Sequence, residues 1–127
     1  MKIVTIIGAR PQFIKASMLS QAIRKKKNIN EIIIHTGQHF DYNMSKIFFE
    51  QMEIPSPKYN LNINSSLHGE MTGRQIELIE RHLINIKPDY VVVFGDTNST
   101  LSGSIASSKL NIPIVHIEAG LRSFNRS

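Results

Sequence analysis

The sequence predicts an α/β domain built on a parallel sheet with helices on both faces, and three observations predict it. Apolar runs of strand length alternate with helix-spaced apolar stripes along the chain. The runs Glu31 to His35 and Tyr90 to Phe94 are nearly continuous Ile or Val, as strands buried on both faces read. Each strand candidate is followed by a short turn of Gly, Thr, Asp or Asn before the next stripe begins. A chain of 127 residues is the size of one such domain, residues 1–127, with a real core.

Taken in order, Ile3 to Ile7 is the first strand. Ile14, Met18, Ala22 and Ile23 mark one face of a helix from about Pro11 to Lys27, by their i, i+4 spacing. The strand Glu31 to His35 follows, then a second helix carrying Met44, Ile47, Phe48 and Met52. The stretch Ile54 to Ser66 reads as a loop with a brief edge strand in its alternating piece, Tyr59 to Ile63. Thr72, Ile76, Ile79, Leu83 and Ile86 trace a longer helix closed by Lys87-Pro88. Its stripe is expected to pack on the sheet, as amphipathic stripes usually do, rather than against a second copy. Tyr90 to Phe94 is the next strand. A helix from about Thr97 to Leu110 then carries Leu101, Ile105, Ala106 and Leu110, and Ile114 to Ile117 is the last strand. Right-handed crossovers favour the order 3-2-1-4-5. The polypeptide ends at Ser127, where a covering helix is expected, so the sequence reads as truncated before the domain's final elements.

Composition narrows the function classes. There is no apolar run approaching ~20 residues to span a membrane. The N-terminal run is too short for a signal-peptide core, so a cytoplasmic location is expected. With no cysteine, disulfides and thiolate metal sites are excluded. Much of the formal charge of +5 sits in Arg24-Lys25-Lys26-Lys27. That run reads as a solvated helix end rather than a nucleic-acid surface, since no aromatics interleave with it.

The chemistry is expected beyond the carboxyl ends of the strands, near the switch in strand order. Gly8 to Lys15 forms a turn into a helix, with Pro11 suited to its first position, free backbone N–H groups, and the cations Arg10 and Lys15 nearby. It is neither a dinucleotide fingerprint nor a P-loop. Gly37 breaks the helical geometry that would let His35 and His39 form a metal pair, which leaves His39 a buried or hydrogen-bonding role and no metal expected. Asp96 ends the fourth strand and either caps the next helix or acts as an acid or base beside Glu118 on the adjacent strand. His116 reads as a core histidine that could orient Glu118. Arg122 and Arg126 add cations suited to phosphate. The residues alone describe an anion-binding crevice holding two acids.

Four motifs together sharpen this. Gly8-Ala9-Arg10-Pro11-Gln12-Phe13-Ile14-Lys15, Thr36-Gly37-Gln38-His39, Gly95-Asp96-Thr97-Asn98-Ser99-Thr100 and His116-Ile117-Glu118-Ala119-Gly120-Leu121-Arg122 occur in an order and spacing that resembles the non-hydrolysing UDP-N-acetylglucosamine 2-epimerases, across all 127 residues. The resemblance implies the N-terminal Rossmann-like half of a two-domain, glycosyltransferase-B type fold, with the UDP-binding second domain absent. It implies proton removal at C2, expulsion and re-addition of UDP, and no nicotinamide, metal or ATP. Carried over, Asp96 and Glu118 are the catalytic acids, and Arg10, Lys15, His39 and Arg122 belong to the substrate-binding set. It also implies a homodimer through N-terminal helices, and inactivity of this stretch alone.

Gln12 and Phe13, where Glu and Ala are usual, together with Arg122 to Arg126, point towards a subgroup acting on diacetamido-uronic acid sugar nucleotides. Phe40 to Lys46 lacks a match to the paired Gln of an allosteric UDP-sugar site. A hydrolysing 2-epimerase, a glycosyltransferase donor domain and a non-catalytic dimerisation fragment are the alternatives.

Overall fold

Parallel strands need crossovers, and among the described residues three of these carry a helix back across the sheet. The computed structural model describes residues 1–8, 10–36, 58–61, 63, 67–95 and 97–117, with the backbone alone at 10–15 and at Asn60. The strands are β1 (Lys2–Ile7), β2 (Asn30–His35), β3 (Tyr59–Asn60), β4 (Tyr90–Phe94) and β5 (Ile114–Ile117). The helices are α1 (Arg10–Arg24), α2 (His68–Ile86) and α3 (Asn98–Lys109). All pairings are parallel, in the order β3-β2-β1-β4-β5, as expected. The short piece at Tyr59 is indeed an edge strand, and His82 of α2 stacks over its ring at 4.1 Å between centroids. The helix expected around Met44 to Met52 lies outside the described residues.

Alternation along the central strands builds two cores. Ile3, Ile7, Ile33, Val92 and Phe94 pack with Ala16 and Ile23 of α1 on one face. Val4, Ile6, Ile34, Val91 and Val93 pack with Ile79, Leu83 and Ile86 of α2 and Ala106 of α3 on the other. The α2 stripe thus faces the sheet.

Two helices bury faces shifted from those expected: Ile23 of α1 and Ala106 of α3 are buried as read, but other described members of the expected stripes are not. Met18 is 69% exposed and Ala22 is exposed, while Ala16, Ser17, Ser20 and Ile23 are buried. In α3 Leu101 is exposed, and Ser99, Thr100, Ser102, Gly103, Ala106 and Ser107 are buried. The reason is close approach: a Cβ added at Gly103 would stand 2.9 Å from Ile6 Cδ1 and 3.1 Å from Val93 Cγ1. Small residues let α3 lie against the strands, and the hydroxyls of Ser99, Thr100 and Ser102 find partners there. Ser102 donates to Gln75 Oε1 at 2.8 Å, joining α3 to α2. On the other face Thr5 and Ser20 each donate to one oxygen of Glu31 at 2.6 Å, so β1, β2 and α1 share one carboxylate.

Helix α1 ends at Arg24, three residues before the expected Lys27, and Arg24 to Lys27 are exposed beyond it. That is the solvated helix end read from the sequence. Helix α2 closes with Lys87 in the left-handed conformation at φ 53°, its N–H donating to Leu83 O at 2.9 Å. Among the described residues no helix is long and apolar enough to cross a membrane.

Candidate functional site

The order β3-β2-β1-β4-β5 reverses direction between β1 and β4, which makes that gap the switch point. Among the described residues the β1–β4 register runs from Ile3↔Tyr90 to Thr5↔Val92, whereas β1 and β2 stay paired to Ile7↔His35. The β1–β4 ladder is therefore open beyond Thr5 and Val92, two residues short of the ends of both strands.

Three of the four motifs meet over this opening. Gly8 follows β1, Thr36 follows β2, and Ser99 stands in the first turn of α3 after β4. The Thr36 and Ser99 hydroxyls lie 3.0 Å apart, both residues buried, and share a hydrogen bond. A Cβ built on Gly8 would fall 2.0 Å from Ser99 Oγ and 2.6 Å from Thr36 Oγ1. The glycine is there for space above that pair, a role the sequence reading did not identify. What could have signalled it is a glycine directly after a buried strand with small hydroxyl residues at the neighbouring strand ends.

The second convergence is at β4 and β5. Their register ends at Phe94↔Ile117, and Gly95 N–H donates to Ile117 O at 2.8 Å. Gly95 takes φ 68°, a left-handed turn that suits glycine. The strands that lead into Asp96 and Glu118 are thus neighbours joined to their last residues. His116 corrects an expectation: it is exposed, on the edge strand β5, and its Nε2 donates to Gly95 O at 2.5 Å. An edge strand has a neighbour on one side only, so its side chains are less covered than those of β1 or β4.

The remaining site residues divide plainly. The backbone of Arg10 opens α1 directly after the Gly8 turn, and that of Lys15 lies in the same helix. His39, Asp96, Glu118 and Arg122 lie outside the described residues. The N-cap of α3 is Thr97, without a side-chain cap bond, and Thr100 Oγ1 donates to Phe94 O. His35, at the end of β2, is 1% exposed. Burial pushes its imidazole down to about 4, which keeps it neutral at ordinary pH. Among the described residues no group of three or more His, Asp and Glu stands close enough to hold a metal ion.

Comparison with known proteins bears on this arrangement directly. The family model for UDP-N-acetylglucosamine 2-epimerase matches residues 21–127. The chain belongs to that family. A Pseudomonas aeruginosa UDP-2,3-diacetamido-2,3-dideoxy-D-glucuronate 2-epimerase is 63% identical over 125 residues, covering 98% of this chain and 35% of its own length. A Methanocaldococcus jannaschii UDP-N-acetylglucosamine 2-epimerase is 54% identical over 127 residues, all of this chain and 34% of that protein. The M. jannaschii crystal structure in complex with UDP-GlcNAc and UDP superposes with a TM-score of 0.87 over 99% of this chain and 34% of that one. The chain thus spans about a third of the length of these family members. The glycosyltransferase VinC, at 14% identity and a TM-score of 0.61, shares the fold alone. The Rossmann-like α/β architecture expected from the sequence is the architecture of one part of these epimerases.

Proposed function

We propose that the chain is the N-terminal Rossmann-like part of a sugar-nucleotide 2-epimerase, interconverting UDP-GlcNAc and UDP-ManNAc. The observation that carries the reading is the meeting of Gly8, Thr36 and Ser99 at the switch point, beside the joined ends of β4 and β5. The strands that precede Arg10, His39, Asp96 and Glu118 in the sequence all end at one edge of the sheet, which supports the reading.

In this mechanism one carboxylate, from Asp96 or Glu118, takes the proton from C2 of the sugar. The C1–O bond to UDP breaks, leaving a C1=C2 double bond in a glycal-type intermediate. A proton then returns to C2 on the opposite face, and the UDP oxygen re-forms its bond to C1. The charge that develops on the departing diphosphate suits Arg10, Lys15 and Arg122 and the N–H groups at the start of α1. The two acids divide the work of base and acid, and His39 contributes a hydrogen bond to the substrate. The reaction calls for no nicotinamide, ATP or metal. A second, UDP-binding domain, a second copy of the protein and a cytoplasmic setting complete the reading.

A specific observation favours a second substrate. Identity is 63% to the diacetamido-glucuronate epimerase, 61% to a Methanococcus maripaludis UDP-N-acetylglucosamine 2-epimerase homolog and 54% to the M. jannaschii enzyme. Gln12, Phe13 and the Arg122 to Arg126 segment agree with that direction. Comparing kcat/KM of the full-length protein on the two sugar nucleotides decides between them.

The reaction itself is tested in deuterated solvent. The epimer formed should carry deuterium at C2 and be recovered as a UDP-sugar. Protium at C2 would exclude proton abstraction there, and free sugar with UDP would assign a hydrolysing enzyme. Asp96→Asn and Glu118→Gln should each lower turnover by at least ~100-fold. Near-normal rates in both would leave them as helix caps or ligands.

A further inference from the structure

The crevice has a feature that the proton chemistry does not use. Beyond Thr5↔Val92 the described register of β1 with β4 ends, so the two halves of the sheet lose their ladder where the candidate catalytic turns begin. Backbone bonds still tie the outer pairs: Thr36 N–H donates to Ile7 O at 3.0 Å, and Gly95 N–H to Ile117 O at 2.8 Å. Across the gap itself stands the bond between Thr36, from the β2 side, and Ser99, from the β4 side, 3.0 Å long. Thr36 is 0% and Ser99 1% exposed, so water does not compete for either hydroxyl. Gly8 closes over the pair so tightly that its missing Cβ would overlap both oxygens.

We propose that the Thr36–Ser99 hydroxyl pair, seated under Gly8, is a positioning element of the crevice. It fixes the spacing of the turns leading to Arg10, His39 and Asp96, and touches no substrate. Gly8 leads to Arg10 by two residues, Thr36 to His39 by three, and Ser99 follows Asp96 by three. A change of spacing at the pair is carried to those side chains through very little chain. The inference rests on the 2-epimerase reading. Because proton transfer depends on tight geometry, loosening the pair should act on kcat more than on substrate binding.

The test uses the full-length enzyme, with UDP-GlcNAc and UDP-2,3-diacetamido-glucuronate as alternative substrates, and follows C2 deuterium incorporation. Thr36→Val keeps the shape and removes the hydroxyl. It should lower kcat by roughly tenfold with KM within about twofold, and Thr36→Ser should restore kcat to within about twofold of wild type. Ser99→Ala, which removes one oxygen, should match Thr36→Val and serves if the valine variant does not fold. Gly8→Ala, which forces the pair apart, should be the most impaired of the folded variants. A folded Thr36→Val or Ser99→Ala with kcat within twofold of wild type would overturn the proposal, as would failure of Thr36→Ser to rescue. Absence of C2 exchange in the wild type on both substrates is a different result, and strikes the 2-epimerase reading instead.

Discussion

His35 shows how one buried ring sets a pH dependence. Burial pushes its imidazole from 6.5 down to about 4, because the charged form is poorly solvated beside Ile7 and Thr36 at the end of the sheet. The unfolded chain holds the ring near its ordinary value and takes up the proton first as pH falls. Stability is therefore full above pH 6.5 and is lost as pH falls from 6.5 towards about 4. Between pH 7.5 and pH 5 the loss from this ring is about 2 kcal/mol. The urea midpoint should fall by the matching amount over that step, and in His35→Gln the same step should cost less than half as much. An equal loss in both proteins would place the titrating group elsewhere. The position of His35 after a run of three isoleucines made burial legible in the sequence, although the direction of the shift needed the packing.

At the scale of elements, α3 is the least ordinary helix. Its buried face is made of Ser, Thr, Gly and Ala, and the larger Leu101 points outwards, 51% exposed. Apolar periodicity places the helix correctly along the chain and includes Ala106 and Leu110, which pack on the core. It misses the Ser, Thr and Gly positions and wrongly includes Leu101, because that rule assumes that large side chains mediate contact. Here backbone proximity does. Gly103→Leu is expected to destabilise the domain by about 2–3 kcal/mol, since Ile6 and Val93 occupy the space the new side chain needs. A denaturant midpoint unchanged from wild type would show that α3 can move away from the sheet at little cost. In α2 large side chains do mediate contact: Ile79, Leu83 and Ile86 are buried, and there the stripe read from the sequence matches the core. The same reasoning explains α1, where Ala16 and Ser20 face inwards and Met18 faces solvent.

On the scale of the whole molecule, the strands that precede the candidate turns all end at one edge of the sheet. The chain covers about a third of its relatives, and the proposed function places the reaction in a cleft that needs groups from a second domain. A polypeptide restricted to residues 1–127 is therefore expected to show no C2 exchange, while the full-length protein does. Measuring deuterium incorporation at equal molar concentration compares them. Turnover by the shorter chain within tenfold of the longer would mean that one domain suffices for the chemistry.

The sequence alone determined the succession of the described strands and helices, the order of the sheet and the family, because buried parallel strands and strand-end motifs are local patterns that need no partner to be read. It also placed the candidate acids Asp96 and Glu118 after neighbouring strands. The tertiary structure decided which face of α1 and α3 is buried, that His116 is exposed, and that Gly8 serves close approach. The α3 face and the Gly8 position depend on residues distant in sequence: Ile6 and Val93 for Gly103, Thr36 and Ser99 for Gly8. Spacing along a chain carries no information about such neighbours; packing creates them.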